Sequence, residues 1–209
     1  AIKDDESPIG ESEEEFMQAA DAVVQLTSDL PPGTFSPLAQ TVFKVVRRLK
    51  DEGGRAEEIL EWTDRLDPGE LSDQVGLLRT DEGTERELPS DRERWYSART
   101  RALHELERYQ ACLDACEEAL QRVARFSGEN QVWIQRRRAL CREELGQFDE
   151  ALEELQRVLR REPRWFVHRD VARMYARRRD WDTALAYGCR GALEGEVDGF
   201  RWGLFKQLA

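Results

Sequence analysis

Leu145-Gly146-Gln147-Phe148-Asp149-Glu150-Ala151-Leu152, followed by Leu155 and closed by Pro163, is the stretch that decides the fold. Leu145-Gly146 marks a turn, and Phe148, Ala151, Leu152 and Leu155 then recur at the spacing of one helical face. Pro163 ends that helix, because proline lacks the amide and its ring collides with the preceding turn. The same helix-turn-helix cadence returns before and after this segment. Hairpins that can bury their apolar faces only against one another stack into an elongated array.

Working outward, Ser12 with Glu15 forms a capping box, and Phe16, Ala19, Ala20, Val23 and Val24 follow at helical spacing, which predicts a helix over 12–29. Pro31-Pro32-Gly33 ends it, and Ser36-Pro37 opens a second helix whose stripe is Leu38, Val42, Phe43, Val46 and Leu49. After Gly53-Gly54 a third runs from Arg55 to Leu66, ending before Pro68, so that the pair makes a helical hairpin. A short helix is expected over 70–78, then an exposed acidic loop over 80–89. Ser90 with Glu93 gives a second capping box, and helices follow over 91–106, 109–126, 130–145, 148–161, 164–178, 181–193 and 197–209. No strand periodicity is seen. The expected organisation is a flexible acidic lead-in (1–11), an N-terminal helical cap with a degenerate repeat and the acidic loop (12–90), and regular repeats (91–209).

Equivalent second-helix positions are Cys112, Ala151 and Ala184, separated by 39 and 33 residues; the longer interval places about five extra residues at the 125–130 turn. Val171-Ala172-x2-Tyr175 with Trp181 and Ala184, Leu145-Gly146 with Phe148, Ala151 and Pro163, and Leu103, Leu106, Tyr109, Cys112, Cys116 and Ala119 together resemble the tetratricopeptide repeat. That unit of about 34 residues reads W-x2-L-G-x2-Y, then A-x3-F, then P. Ala56, Leu60 and Pro68 suggest an earlier, degenerate copy. The resemblance implies an all-α fold, a right-handed α-solenoid of such hairpins, serving as a protein-protein interaction scaffold.

Composition agrees with a thin, high-surface fold: 40% of the 209 residues are hydrophobic and 36% are charged, the latter above the roughly 25% usual for soluble domains. No run approaches the ~18 apolar residues needed to span a bilayer. The first 30 residues are acidic where a secretory signal would be basic and then apolar. A cytoplasmic location without membrane association is therefore expected, with Cys112, Cys116, Cys141 and Cys189 reduced. Cys112 and Cys116 lie one turn apart with His104 upstream, but both fill apolar slots, and they are read as core thiols rather than zinc ligands. No nucleophile motif, H-E-x-x-H or glycine-rich phosphate loop occurs, so neither catalysis nor a cofactor is expected. The initial Ala and the uncapped amphipathic pattern of 200–209 suggest a piece of a larger protein.

Charge is distributed unevenly along a chain of net −11: residues 1–93 carry 24 Asp/Glu against 10 Lys/Arg, and residues 94–209 carry 19 against 22. In tetratricopeptide proteins the first helices line the ligand groove. Carried over, that register puts Arg101, Arg136, Arg169, Arg173 and Arg177 on this surface, with Arg94 and Arg137 beside them. Arg169, Arg173 and Arg177 share one face of one helix and repel each other unless an anion is present. Guanidinium forks bind carboxylates and phosphates alike. An acidic peptide or protein segment is the expected ligand, held by Arg101, Arg136, Arg169, Arg173 and Arg177. Two alternatives remain at this point: these side chains pair internally with Glu143, Glu144 or Asp170, or, with Trp133 and Trp165 nearby, the surface meets nucleic acid. A structural or oligomerisation spacer is a third class. The acidic run from Glu11 to Glu15 is a candidate for folding back over the arginines. The basic clamp that grips acidic C-termini of chaperones is incomplete here, since Arg137, Asp170, Leu140 and Arg173 replace its asparagines.

Overall fold

A computed structural model of the chain describes residues 12–27, 36–79 and 83–194. Within them the order is α1 (Glu13–Thr27), α2 (Pro37–Glu52), α3 (Ala56–Thr63), β1 (Gly76–Arg79), β2 (Glu85–Leu88), α4 (Asp91–Glu105), α5 (Tyr109–Arg122), α6 (Asn130–Glu144), α7 (Phe148–Arg161), α8 (Trp165–Arg177) and α9 (Trp181–Glu194). Each helix packs chiefly on its chain neighbours, while α2 and α4, and α4 and α6, also touch. This is a solenoid of hairpins in which first helices lie side by side. The predicted lead-in (1–11) and last helix (197–209) fall outside the described residues.

One turn geometry repeats along the array and explains the opening motif. Gly146 has φ +82°, its amide donates to Glu143 O at 3.1 Å, and the Gln147 amide donates to Arg142 O at 2.8 Å. This left-handed closure satisfies carbonyls at the helix end. Glu107 (φ 57°) and Arg179 (φ 62°) adopt it too, with the amides of Arg108 and Asp180 reaching back to Leu103 O (2.9 Å) and Tyr175 O (3.0 Å). These three positions are 39 and 33 residues apart, matching the interval of the second-helix alanines and cysteine. Cys112, Ala151 and Ala184 are fully buried, small side chains that let neighbouring helices approach closely.

Two apolar clusters form the core. One runs from Ala20 in α1 through Val42, Leu49, Trp62 and Tyr96 to Ile134 and Cys141 in α6, and the second from Val132 and Ala139 in α6 through Leu155 to Val167, Val171 and Met174 in α8. Helix α6 contributes a face to each.

Two readings of the 66–90 region need correction. The expected helix over 70–78 is a turn and an extended segment: Asp67 Oδ1 accepts the Gly69 amide at 2.7 Å just after Pro68, and Gly76 opens β1 instead. The expected loop over 80–89, of which 80–82 lie outside the described residues, is strand at Glu85–Leu88. There β2 pairs antiparallel with β1, Gly76 opposite Leu88 and Arg79 opposite Glu85. Gly83 at φ +80° supplies the turn conformation between them. Four-residue strands this polar show no detectable alternation.

The two capping boxes differ. Ser12 and Glu15 cap reciprocally, at 3.0 and 3.2 Å. Ser90 Oγ accepts the Glu93 amide at 3.2 Å, but the Glu93 carboxylate turns away to the next repeat and accepts from Ser127 N (2.9 Å), Ser127 Oγ (3.0 Å) and Asn130 Nδ2 (2.6 Å). Glu93 thereby anchors the long 123–129 connection, where the repeat spacing puts the extra residues.

Candidate partner-binding groove

Helices α2, α4 and α6 enclose a groove of about 960 Å³, rimmed by Arg86 and Pro89 of the hairpin region. Its cations are Arg47 and Lys50 from α2, Arg86, Arg94 and Arg101 from β2 and α4, and Arg136 and Arg137 from α6, against two carboxylates, Asp51 and Glu105. Residues three and four apart on a helix share a face, and α2 (47, 50), α4 (94, 98, 101) and α6 (133, 136, 137, 140) supply the lining this way. A strongly positive basin has formed in an acidic chain.

The cations differ in what holds them. Arg101 pairs with Glu105 at 2.7 Å, Arg94 pairs with Asp91 at 3.1 Å and lies 4.1 Å over the Phe43 ring, and Arg136 pairs with Asp170 and faces Phe166. The side chains of Arg47, Lys50 and Arg86 have no hydrogen-bond or ion-pair partner among the described residues. Arg137 is the most unusual. It donates to Thr100 Oγ1 at 2.8 Å and has no carboxylate partner among the described residues, although burial pushes its pKa below the ordinary guanidinium value. A half-buried cation without a counter-ion carries a desolvation cost that an incoming anion offsets.

Around it lie groups that stay neutral at neutral pH. His104, also in the lining, is held below the usual imidazole pKa by burial, and further by Arg137 and Arg136. The buried Cys112 thiol is pushed up to about 12: its hydrogen bond with Cys116 acts downward but is outweighed by Cys141 and burial. Cys116 is raised by Cys112 and by burial. Thiols so protonated are poor nucleophiles and poor ligands. Trp133 stacks on Phe166, centroids 4.4 Å apart and planes 14° from parallel, and remains 45% exposed at the groove edge.

The residues expected on the binding surface divide into two sets. Arg101 and Arg136 line the groove. Arg169, Arg173 and Arg177 sit on α8, the next first helix, and each holds a carboxylate: Arg169 with Asp170 at 3.5 Å, Arg173 with Glu143 at 2.6 Å, and Arg177 with Glu143 at 2.9 Å and Glu144 at 3.4 Å. Glu143 and Asp170 are buried between α6 and α8 and form the internal pairs considered in the sequence reading. Glu13 pairs with Arg55, and Glu15 caps Ser12, so this part of the acidic run is engaged away from the groove lining. Sequence reasoning does not mark Arg47 and Lys50. Counting the α2–α3 hairpin as a full unit puts its first helix in the groove and finds them. Nothing in the sequence marks Arg86, whose position depends on strand pairing.

Side-by-side first helices, a left-handed closure repeated at unit spacing, and small buried residues at the crossings leave one architecture. The fold is that of the tetratricopeptide repeat. Solved structures agree. A thermophilic tetratricopeptide protein of Thermus thermophilus is similar over 93% of this chain and 89% of its own, at 16% identity and a TM-score of 0.59. MamA matches over 87% and 89% at 15% identity and 0.58, and the repeats of a putative kinesin light chain from Podosopora anserina match over 85% and 86% at 14% and 0.57. No protein-family model and no curated protein matches the chain. Among the described residues, no tetratricopeptide helix here is long and apolar enough to cross a membrane.

Proposed function

We propose that the chain is a non-enzymatic protein-interaction scaffold whose groove receives an acidic segment of a partner protein. Tetratricopeptide hairpins supply a binding surface. The observation that carries the finer reading is Arg137, a guanidinium with a hydroxyl but no carboxylate beside it, at the floor of a basin where Arg47, Lys50 and Arg86 are also unpaired among the described residues. Arg137 is already desolvated and oriented, so a carboxylate meeting it gains charge-assisted hydrogen bonds at little ordering cost. Arg101 and Arg136 extend the contact by exchanging or sharing Glu105 and Asp170. Arg169, Arg173 and Arg177 continue the surface along α8 for a longer ligand. A net charge of −11 repels a polyanion at long range, which favours a short acidic peptide over nucleic acid.

The test is anisotropy of a labelled Glu/Asp-rich peptide and of a single-stranded oligonucleotide, at low and moderate salt, with the wild-type chain and Arg137→Met. The peptide is expected to bind and the variant to weaken it about tenfold or more. Equal peptide binding by both proteins, or preference for the oligonucleotide with a steep salt slope, overturns the reading.

A further inference from the structure

The insertion between α3 and α4 is pinned at both ends. At its base Arg92 donates to the carbonyls of Pro68 (2.9 Å), Leu71 (2.9 Å) and Gly69 (3.3 Å) and pairs with Asp73. At the hairpin, Glu87 accepts the Gly128 amide at 3.1 Å and pairs with Arg125. A two-stranded hairpin is marginal alone, and these contacts hold this one against the solenoid. Between it and the start of α4 a second concavity of about 820 Å³ is open, its apolar wall made by Val75, Leu77, Leu88 and Pro89.

Two features connect this concavity with the basic groove. Pro89 and Arg94 line both, and Arg94 is fixed at the junction by Asp91 and the Phe43 ring. The leucines there are unusually open to solvent: Leu77 is 68% exposed and Leu88 40%. Single exposed leucines are ordinary, but neighbouring ones around a preformed concavity mark a contact surface.

We propose that this concavity takes an apolar side chain of the same partner segment, so that the ligand is an extended peptide with carboxylates followed, at one end, by a leucine- or phenylalanine-like residue. The inference rests on the groove reading above. Continuity through Pro89 and Arg94 means that whatever fills the apolar end continues among Arg94, Arg101 and Arg137, and charge complementarity makes that continuation acidic. The carboxylates supply attraction and the apolar residue fixes register, since a one-sided anchor distinguishes one alignment of a uniform acidic run from the others.

Three labelled peptides with one acidic core test this, carrying Leu-Phe at the N-terminal end, Leu-Phe at the C-terminal end, or Ser-Ser. One of the Leu-Phe peptides is expected to bind about tenfold more tightly than the Ser-Ser peptide, from burial of one side chain. In the double variant Leu77→Ser/Leu88→Ser this advantage falls to within about twofold, while the Ser-Ser peptide keeps its affinity, which also reports that the groove is intact. If both Leu-Phe peptides bind no better than Ser-Ser, or the advantage survives in the double variant, the apolar subsite is wrong and the basic groove is unaffected. Absence of binding by all three overturns both readings.

Discussion

Arg137 Nη1 lies 2.8 Å from Thr100 Oγ1, and that hydroxyl in turn donates to Tyr96 O at 2.7 Å. The guanidinium is tied to α4 by a neutral partner, and no carboxylate among the described residues compensates its charge. Replacing a half-buried charge that lacks a counter-ion by an apolar side chain of similar length is neutral or stabilising. Arg137→Met is therefore expected to leave the thermal midpoint unchanged or raise it while acidic-peptide binding drops. A structural arginine would show the opposite, a lower midpoint with affinity retained in the folded fraction, so calorimetry beside anisotropy separates the two.

Glu143 contacts Arg173 and Arg177 from a fully buried position. In Glu143→Gln both arginines lose a charged partner, at a cost of about 1–3 kcal/mol in urea unfolding. Arg173 is then left without a carboxylate among the described residues and Arg177 keeps only Glu144, at 3.4 Å, on the α8 side of the proposed binding surface. Affinity for a long acidic peptide is expected to rise severalfold, with a steeper salt dependence. An unchanged affinity would confine ligand contact to the α2–α4–α6 basin.

How much of this is readable beforehand depends on what each residue signals by itself. Gly146 reveals the left-handed turn because glycine favours it, whereas Glu107 and Arg179 adopt the same conformation without advertising it. Their equivalence shows only through the spacing of Cys112, Ala151 and Ala184. Periodicity places the arginines on the correct helices. The sequence names Glu143, Glu144 and Asp170 as candidate internal partners but does not decide between pairing and a free anion site, because that depends on which carboxylates the packing of α6 against α8 buries. The hairpin escapes detection for a similar reason: Arg92, which organises residues 68–73, is an ordinary arginine in sequence, and its partners Pro68, Gly69, Leu71, Asp73 and Arg122 converge only in space.

Glu93 reads in the sequence as half of a capping box, and its actual role gives a sharper expectation. Fully buried, it accepts three hydrogen bonds from Ser127 and Asn130. Glu93→Ala leaves the buried amide and hydroxyl of Ser127 without their carboxylate acceptor and removes the tie between α4 and the α5–α6 connection. A loss of about 2–4 kcal/mol in urea unfolding is expected, together with faster amide exchange over 123–130. Glu93→Gln, which keeps an acceptor, should cost less than half as much. A surface-like effect below about 0.5 kcal/mol would contradict the network.

The chain has two histidines, and burial holds both below the ordinary imidazole value, with Arg137 and Arg136 adding to the effect at His104 and Glu194 opposing it at His168. Above about pH 6.5 both are neutral whether the chain is folded or not, so their contribution is at its full value there. As pH falls below that, the unfolded chain takes up protons that the folded one resists, and stability declines until the folded-state values are passed. The thermal midpoint is thus expected to fall between about pH 7.5 and pH 5.5, and to fall less in His104→Asn/His168→Asn. Ligand binding should run the other way. A carboxylate seated beside His104 makes its protonation easier and adds one positive charge to the groove, so acidic-peptide affinity should rise over the same interval in the wild type and not in His104→Asn. A rise that persists in His104→Asn would place the titrating group elsewhere than in the groove lining.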